Sequence, residues 1–177
     1  SGHATFDVKA VANHLMGASA AQVAAVIRDA KSLARSQAAV HDAGHVVVAH
    51  LLGLPPAERA TITLAGGFID IPSTPIETRS SALNRVAALL GGRAAEKFLL
   101  EQRSNGAGLG IGSDLDVAAQ LVGRIQFEWG LGDQLIHAAH SAVQADATDQ
   151  IEPLLQAAHI RAAEIVEMQR PLVIKLA

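Results

Sequence analysis

The chain has 177 residues, half of them hydrophobic and only 3% aromatic, with no cysteine and a formal net charge of −3. That length suits one ordinary domain with its own core, and the missing cysteines exclude disulfides, thiolate metal sites and a cysteine nucleophile. A slightly acidic balance removes any electrostatic case for nucleic acid or an anionic membrane as partner, and no apolar run approaches the roughly 18 residues of a membrane span. The N-terminus has no signal-peptide layout. Ser1-Gly2-His3 reads like a cloning remnant, so an upstream domain or anchor is expected beyond this chain.

Alanine, leucine and valine dominate, which favours close-packed helices. From Asp7 to about Ser36 apolar residues recur at helical spacing, through Val8, Val11 and Ala12 and then Val23, Val26, Ile27 and Leu33. A break at Gly17-Ala18-Ser19 separates two helices there, with Ser19 as N-cap of the second. A third helix is expected over Val40–Leu52, ended by Gly53 and Pro55-Pro56. Ala60–Leu64 and Phe68–Ile71 read as a strand pair, with Gly66-Gly67 as its turn. After a loop over Pro72–Pro75, one long helix is expected from Ser81 to Leu100, with Gly91-Gly92 inside it. Asn105–Ser113 carries four glycines in nine residues and is a loop. Helix resumes over Asp114–Trp129 and closes at Gly130 and Gly132. Ser141–Thr148 is small and polar, and a last helix runs from about Asp149 to Arg170. The expected fold is mainly α, with one small β-hairpin near residues 60–71.

Chemistry concentrates in His41-Asp42-Ala43-Gly44-His45. Residues four apart on a helix differ by about 40° around the axis, so both imidazoles leave one face. Two neutral imidazoles so placed can share a tetrahedral zinc, with room for a third ligand and water. The common form of this signature has glutamate after the first histidine, as general base on the attacking water; here Asp42 stands there. Two histidines on a partly exposed face are the bland alternative. His50 lies nine residues past His41, about 180° around the helix, and is excluded as a ligand while the helix continues. Two carboxylates are candidates for the third position. Asp114 opens a helix after the glycine-rich loop, where ordinary capping is the competing explanation. Glu96, in Gly91-Gly92-Arg93-Ala94-Ala95-Glu96, otherwise belongs to a solvated face. His137 and His140, three apart beside the polar stretch, form a weaker pair.

Four ordered segments together resemble the FtsH-like, AAA-linked zinc metalloproteases. Val40-His-Asp-Ala-Gly-His-Val-Val-Val48 is similar to the family's zinc helix, and Ala87-Ala-Leu-Leu-Gly-Gly-Arg-Ala-Ala-Glu96 to another characteristic helix. Gly110-Ile-Gly-Ser-Asp-Leu115 resembles the glycine-rich loop entering an Asp-Leu helix start, and Phe127-Glu-Trp-Gly-Leu131 the close of that helix. Residues 7–36 faintly resemble the end of an AAA ATPase lid, so the chain divides as 1–36, an N-terminal helical segment, and 37–177, the metallopeptidase domain. No Walker A pattern is present, so the chain alone is no ATPase.

The resemblance implies Zn2+ as cofactor, with His41, His45 and Asp114 as metal ligands, Asp42 as the catalytic base, and Glu96 in a supporting role. It further implies a zinc endopeptidase acting on unfolded polypeptide substrates, an AAA ATPase module in the full-length protein or in trans, and a homo-oligomeric, typically hexameric ring. The family is membrane-anchored, facing cytoplasm, matrix or stroma. Asp42 is the main departure: its carboxylate is retracted by about 1.5 Å relative to glutamate. That supports an alternative from another class, a non-catalytic relative kept as an assembly or scaffolding module.

Overall fold

A computed structural model of the chain describes residues 20–55, 59–63, 66–70, 76–101, 104, 108, 110–133, 137 and 148–177. The expected break at 17–19, the ATPase-lid likeness before it, the loop at 72–75 and most of the polar stretch 141–148 lie outside the described residues. The described part is mainly helical, as expected.

Helix α1 spans Ala20–Leu51, 32 residues without interruption. Two helices were expected here, one ending at about Ser36 and the next beginning at Val40. Residues 35–37 carry no helix-breaking signal, neither glycine nor proline, so the backbone ladder continues through them. Ser36 is exposed and its hydroxyl donates to the Ser32 carbonyl at 3.1 Å. The helix therefore also runs through the expected boundary between residues 36 and 37. It ends in a Schellman motif: Leu54 N–H donates to Ala49 O at 3.0 Å and Gly53 N–H to His50 O at 3.1 Å, with Gly53 at φ 69°.

Strands β1 (Arg59–Thr63) and β2 (Gly66–Asp70) pair antiparallel beside α1. Gly66 and Gly67 begin β2, opposite Thr63 and Ile62, and do not form the turn. Helix α2 (Arg79–Leu89) starts with a capping box in which Thr78 Oγ1 accepts from Ser81 N–H and Ser81 Oγ accepts from Thr78 N–H. The single long helix expected from Ser81 to Leu100 is two, because Leu90 (φ −92°, ψ 0°) turns the chain from α2 into α3 (Gly91–Leu99). That corner lets α3 lie across α1 in the most extensive helix–helix contact described.

Helix α4 (Asp114–Gly123) follows the glycine-rich segment and is capped by Ser113. It runs on as a five-residue π-helical turn, Arg124–Glu128, and stops at Gly130, φ 64°. Helices α5 (Thr148–Met168) and α6 (Arg170–Leu176) complete the fold. Val47 and Val48 of α1, Val86 of α2, Leu90, Val122 of α4, Ile125, Val166 of α5 and Val173 of α6 are fully buried in one core. Ten alanines join them, and small side chains allow the helix axes to approach closely. None of the helices described is long and apolar enough to cross a membrane.

Candidate metal centre

The buried half of α1 presents His41 and His45 side by side, their ring centroids 4.7 Å apart and their planes at 74°. Helix α4 brings its first residue to the same point. Asp114 Oδ2 lies 3.0 Å from His41 Nε2 and 3.3 Å from His45 Nε2, and the two Nε2 atoms are 3.0 Å apart. These three residues form a group whose ligand atoms all lie within 4.8 Å of one another. Capping does not account for Asp114. Ser113 Oγ takes the Asp116 N–H, which leaves the Asp114 carboxylate to face the histidines.

The outer side of each ring decides what the inner side can do. His41 Nδ1 is 2.8 Å from Glu96 Oε1, and His45 Nδ1 is 2.7 Å from the Ala88 carbonyl. An ionised carboxylate and a carbonyl only accept, so both Nδ1 atoms carry the proton and donate. In the neutral rings each Nε2 is then a lone pair. Two lone pairs and a carboxylate oxygen converge on one small volume, an arrangement that a cation between them makes favourable. In its absence a proton takes that part. Burial alone would lower the His41 pKa, but the hydrogen bonds with Asp114 and Glu96 outweigh it and raise it to about 9. Asp114 is held well below the usual carboxylate range: burial opposes this, and its hydrogen bonds with His41 and His45 overcome it.

Asp42 points into the same region of α1 with different surroundings. It is 5% exposed, and its Oδ2 is buried without a hydrogen-bond partner among the described residues. Burial, helped by the charge of Asp114, pushes its pKa up against the pull of the two histidines. A buried carboxylate oxygen left unmatched is costly in a purely structural residue and expected in one that meets water or substrate.

Two close contacts at the crossing of α1 and α3 hold this geometry. Gly44 of α1 meets Gly91 of α3 backbone to backbone: a Cβ on Gly44 would stand 2.4 Å from Gly91 O. One residue on, Gly92 packs under the His41 ring, where a Cβ would come within 2.5 Å of Nε2. The corner at Leu90 thus aims the Ala88 carbonyl at His45 and the Glu96 carboxylate at His41.

Of the sequence candidates, His41, His45 and Asp114 come together, with Asp42 beside them. Glu96 is 3% exposed and stands behind His41, on the ring nitrogen turned away from Asp114. His50 is exposed on α1, outside the group. His137 engages the Glu128 carbonyl through Nδ1 at 2.7 Å, and His140 lies outside the described residues. Sequence reasoning did not find the Ala88 carbonyl or Ser104, which donates to both oxygens of Glu96. A backbone carbonyl leaves no trace in residue identity, and a lone serine beside a glycine-rich loop gives only a faint one.

The model of peptidase family M41 matches residues 28–158, most of the chain and every residue of this centre. The chain belongs to peptidase family M41. The likeness carried by the four sequence segments is thereby borne out. Among curated relatives of this M41 domain, the ATP-dependent zinc metalloprotease FtsH 1 of Bdellovibrio bacteriovorus is 35% identical over 100 residues, 52% of this chain and 15% of that protein. FtsH 2 of Symbiobacterium thermophilum is 38% identical over 110 residues, 57% of this chain and 18% of its own length. FtsH of Veillonella parvula is 35% identical over 108 residues, 57% and 16% of the respective lengths. The matched region spans less than a fifth of each of these relatives.

Proposed function

We propose that residues 37–177 are the zinc-dependent endopeptidase domain of an ATP-dependent protease. His41 Nε2, His45 Nε2 and Asp114 Oδ2 hold the metal and Asp42 serves as general base. The observation that carries this reading is the convergence of two lone pairs and a carboxylate, with both histidine tautomers fixed from behind. Two nitrogens and one oxygen are a donor set suited to zinc, and three protein ligands leave a coordination position free, as catalytic sites do. When bound, zinc supplies Lewis acidity, polarising the scissile carbonyl and lowering the pKa of water.

The chain's own groups do the rest. Asp42 Oδ2, unmatched among the described residues, takes the proton of the attacking water and returns it to the leaving amine. Glu96 and the Ala88 carbonyl keep the Nδ1 protons in place, so neither ring can rotate or change tautomer during turnover. The β1–β2 hairpin beside α1 offers a strand edge on which an extended polypeptide can add by backbone hydrogen bonds. An ATPase module, in the same protein or in trans, would deliver unfolded polypeptide to that edge within a homo-oligomeric ring; the ATP-dependent FtsH relatives support the ATP dependence.

The competing reading, a scaffold that has lost turnover, rests on Asp42 in place of glutamate. The two separate in a peptide-hydrolysis assay on zinc-loaded parent, Asp42→Glu and Asp42→Asn proteins. A working site gives a measurable parent rate, a higher rate for D42E, and a loss of roughly 10²–10⁴-fold for D42N, the usual worth of a positioned base. No hydrolysis by parent and D42E alike, with zinc bound in both, establishes the scaffold.

A further inference from the structure

We infer that Ser104 is a positioning residue of the metal centre, acting through Glu96 on His41; this rests on the reading of His41, His45 and Asp114 as zinc ligands. Glu96 is almost wholly buried in α3, where a carboxylate needs hydrogen-bond donors on its oxygens to stay ionised. Its Oε1 accepts from His41 Nδ1 at 2.8 Å and from the Ser104 hydroxyl at 2.8 Å, and its Oε2 accepts from the Ser104 backbone N–H at 2.6 Å. Ser104 is the only residue besides His41 that these described contacts bring to the carboxylate. It fixes both oxygens and so fixes which way Oε1 faces the imidazole.

The chain is bent to make this contact. Helix α3 closes with Leu100 N–H on Glu96 O at 2.9 Å, and the next residue, Glu101, is held at φ 53°, a left-handed conformation that side chains other than glycine seldom adopt. Ser104, three residues on, meets Glu96, eight residues earlier in sequence. Ten residues beyond Ser104 stands Asp114, the third ligand, so one serine ties the segment leading to Asp114 onto the carboxylate that orients His41. The far end of that segment is tied as well, by Gly112 N–H donating to Asp116 Oδ2 at 2.7 Å.

The test is the zinc affinity of the tag-free full chain, read by competition with a chromophoric chelator, for the parent, Ser104→Ala, Ser104→Thr, Glu96→Gln and the E96Q/S104A double variant. Groups behind a metal ligand typically change affinity by about 10- to 100-fold. E96Q is expected in that range and S104A, one bond further out, at roughly three- to tenfold. S104T restores the hydroxyl and binds within about twofold of the parent. The double variant binds no more weakly than E96Q, since a residue acting only through Glu96 has nothing left to act on. Ser104→Cys, of similar size but a weak donor, shows the same loss as S104A and replaces it if the alanine protein does not fold. Zinc affinity of S104A within twofold of the parent, with only the metal-free melting temperature lowered, overturns the inference and leaves a structural serine. Losses that multiply in the double variant overturn it too. A parent that binds no zinc overturns this inference together with the ligand assignment beneath it.

Discussion

Gly44→Ala should lower the melting temperature by roughly 5–10 °C, although alanine is the better helix former. In an unconstrained helix the exchange would add up to about 1 kcal/mol of stability. Here the new methyl would stand 2.4 Å from Gly91 O and 2.6 Å from Ala95 Cβ. Both obstacles belong to α3, one of them its backbone, so no rotamer change relieves the contact and the two helices must separate. Overpacking of that kind costs about 1–3 kcal/mol and at times more. The interface that opens is also the most extensive between the helices described, joining Val47-bearing α1 and Ala94-bearing α3. With the packing lost from that interface added, a net loss of about 2–3 kcal/mol remains after the helix-propensity gain and converts to the stated shift for a chain of this size. Thermal denaturation followed by circular dichroism reads it directly, and an unchanged or raised midpoint would show that α1 and α3 are not in backbone contact.

Gly92→Ala, one residue from that crossing, should behave differently: a small change in stability and a loss of zinc affinity of at least about 100-fold. Its Cβ would meet the imidazole of His41 at 2.5–2.6 Å across Nε2, Cδ2 and Cε1. A side chain can swing aside where a backbone cannot, so the fold survives. The ring cannot move without leaving Glu96 and Asp114, which it holds at 2.8 and 3.0 Å. Losing one of three ligands and its orienting bond together exceeds the tenfold-to-hundredfold effect of an outer partner alone. Chelator competition gives the affinity, and the melting curve of the metal-free protein gives the control. Equal zinc affinity in G92A and parent would mean that His41 is not held where the structure places it.

Much of this site was legible in the sequence because spacing along a helix is geometry. His41 and His45 share a face whatever surrounds them, and the same periodicity removed His50. Asp114 was harder: a carboxylate at a helix start is explained as well by capping, and residue identity alone left Asp114 and Glu96 as rivals. Family likeness chose between them; in the structure Ser113 takes the cap, Asp114 faces both histidines and Glu96 meets His41 from the other side of the ring. The hairpin was legible from alternation, but its register was not. Glycine pairs mark turns and strand starts alike, and Gly66-Gly67 turned out to be the latter. Helix α1 was divided although residues 35–37 hold no breaker, and the corner at Leu90 was missed for a different reason. Local pattern reports which side chains are apolar, whereas that corner follows from how α3 must lie on α1, through glycines 44 and 91. The π-helical turn at Arg124–Glu128 carries no local signal at all.

The ligand set is tested most directly by zinc per chain, determined by elemental analysis on tag-free protein reconstituted with the metal, for the parent and for Asp114→Ala. About one zinc per parent chain is expected, falling well below one in D114A, where two imidazoles remain without the carboxylate that completes the set. A parent that stays zinc-free after reconstitution, or a D114A protein that keeps the full complement, would contradict a centre built from His41, His45 and Asp114.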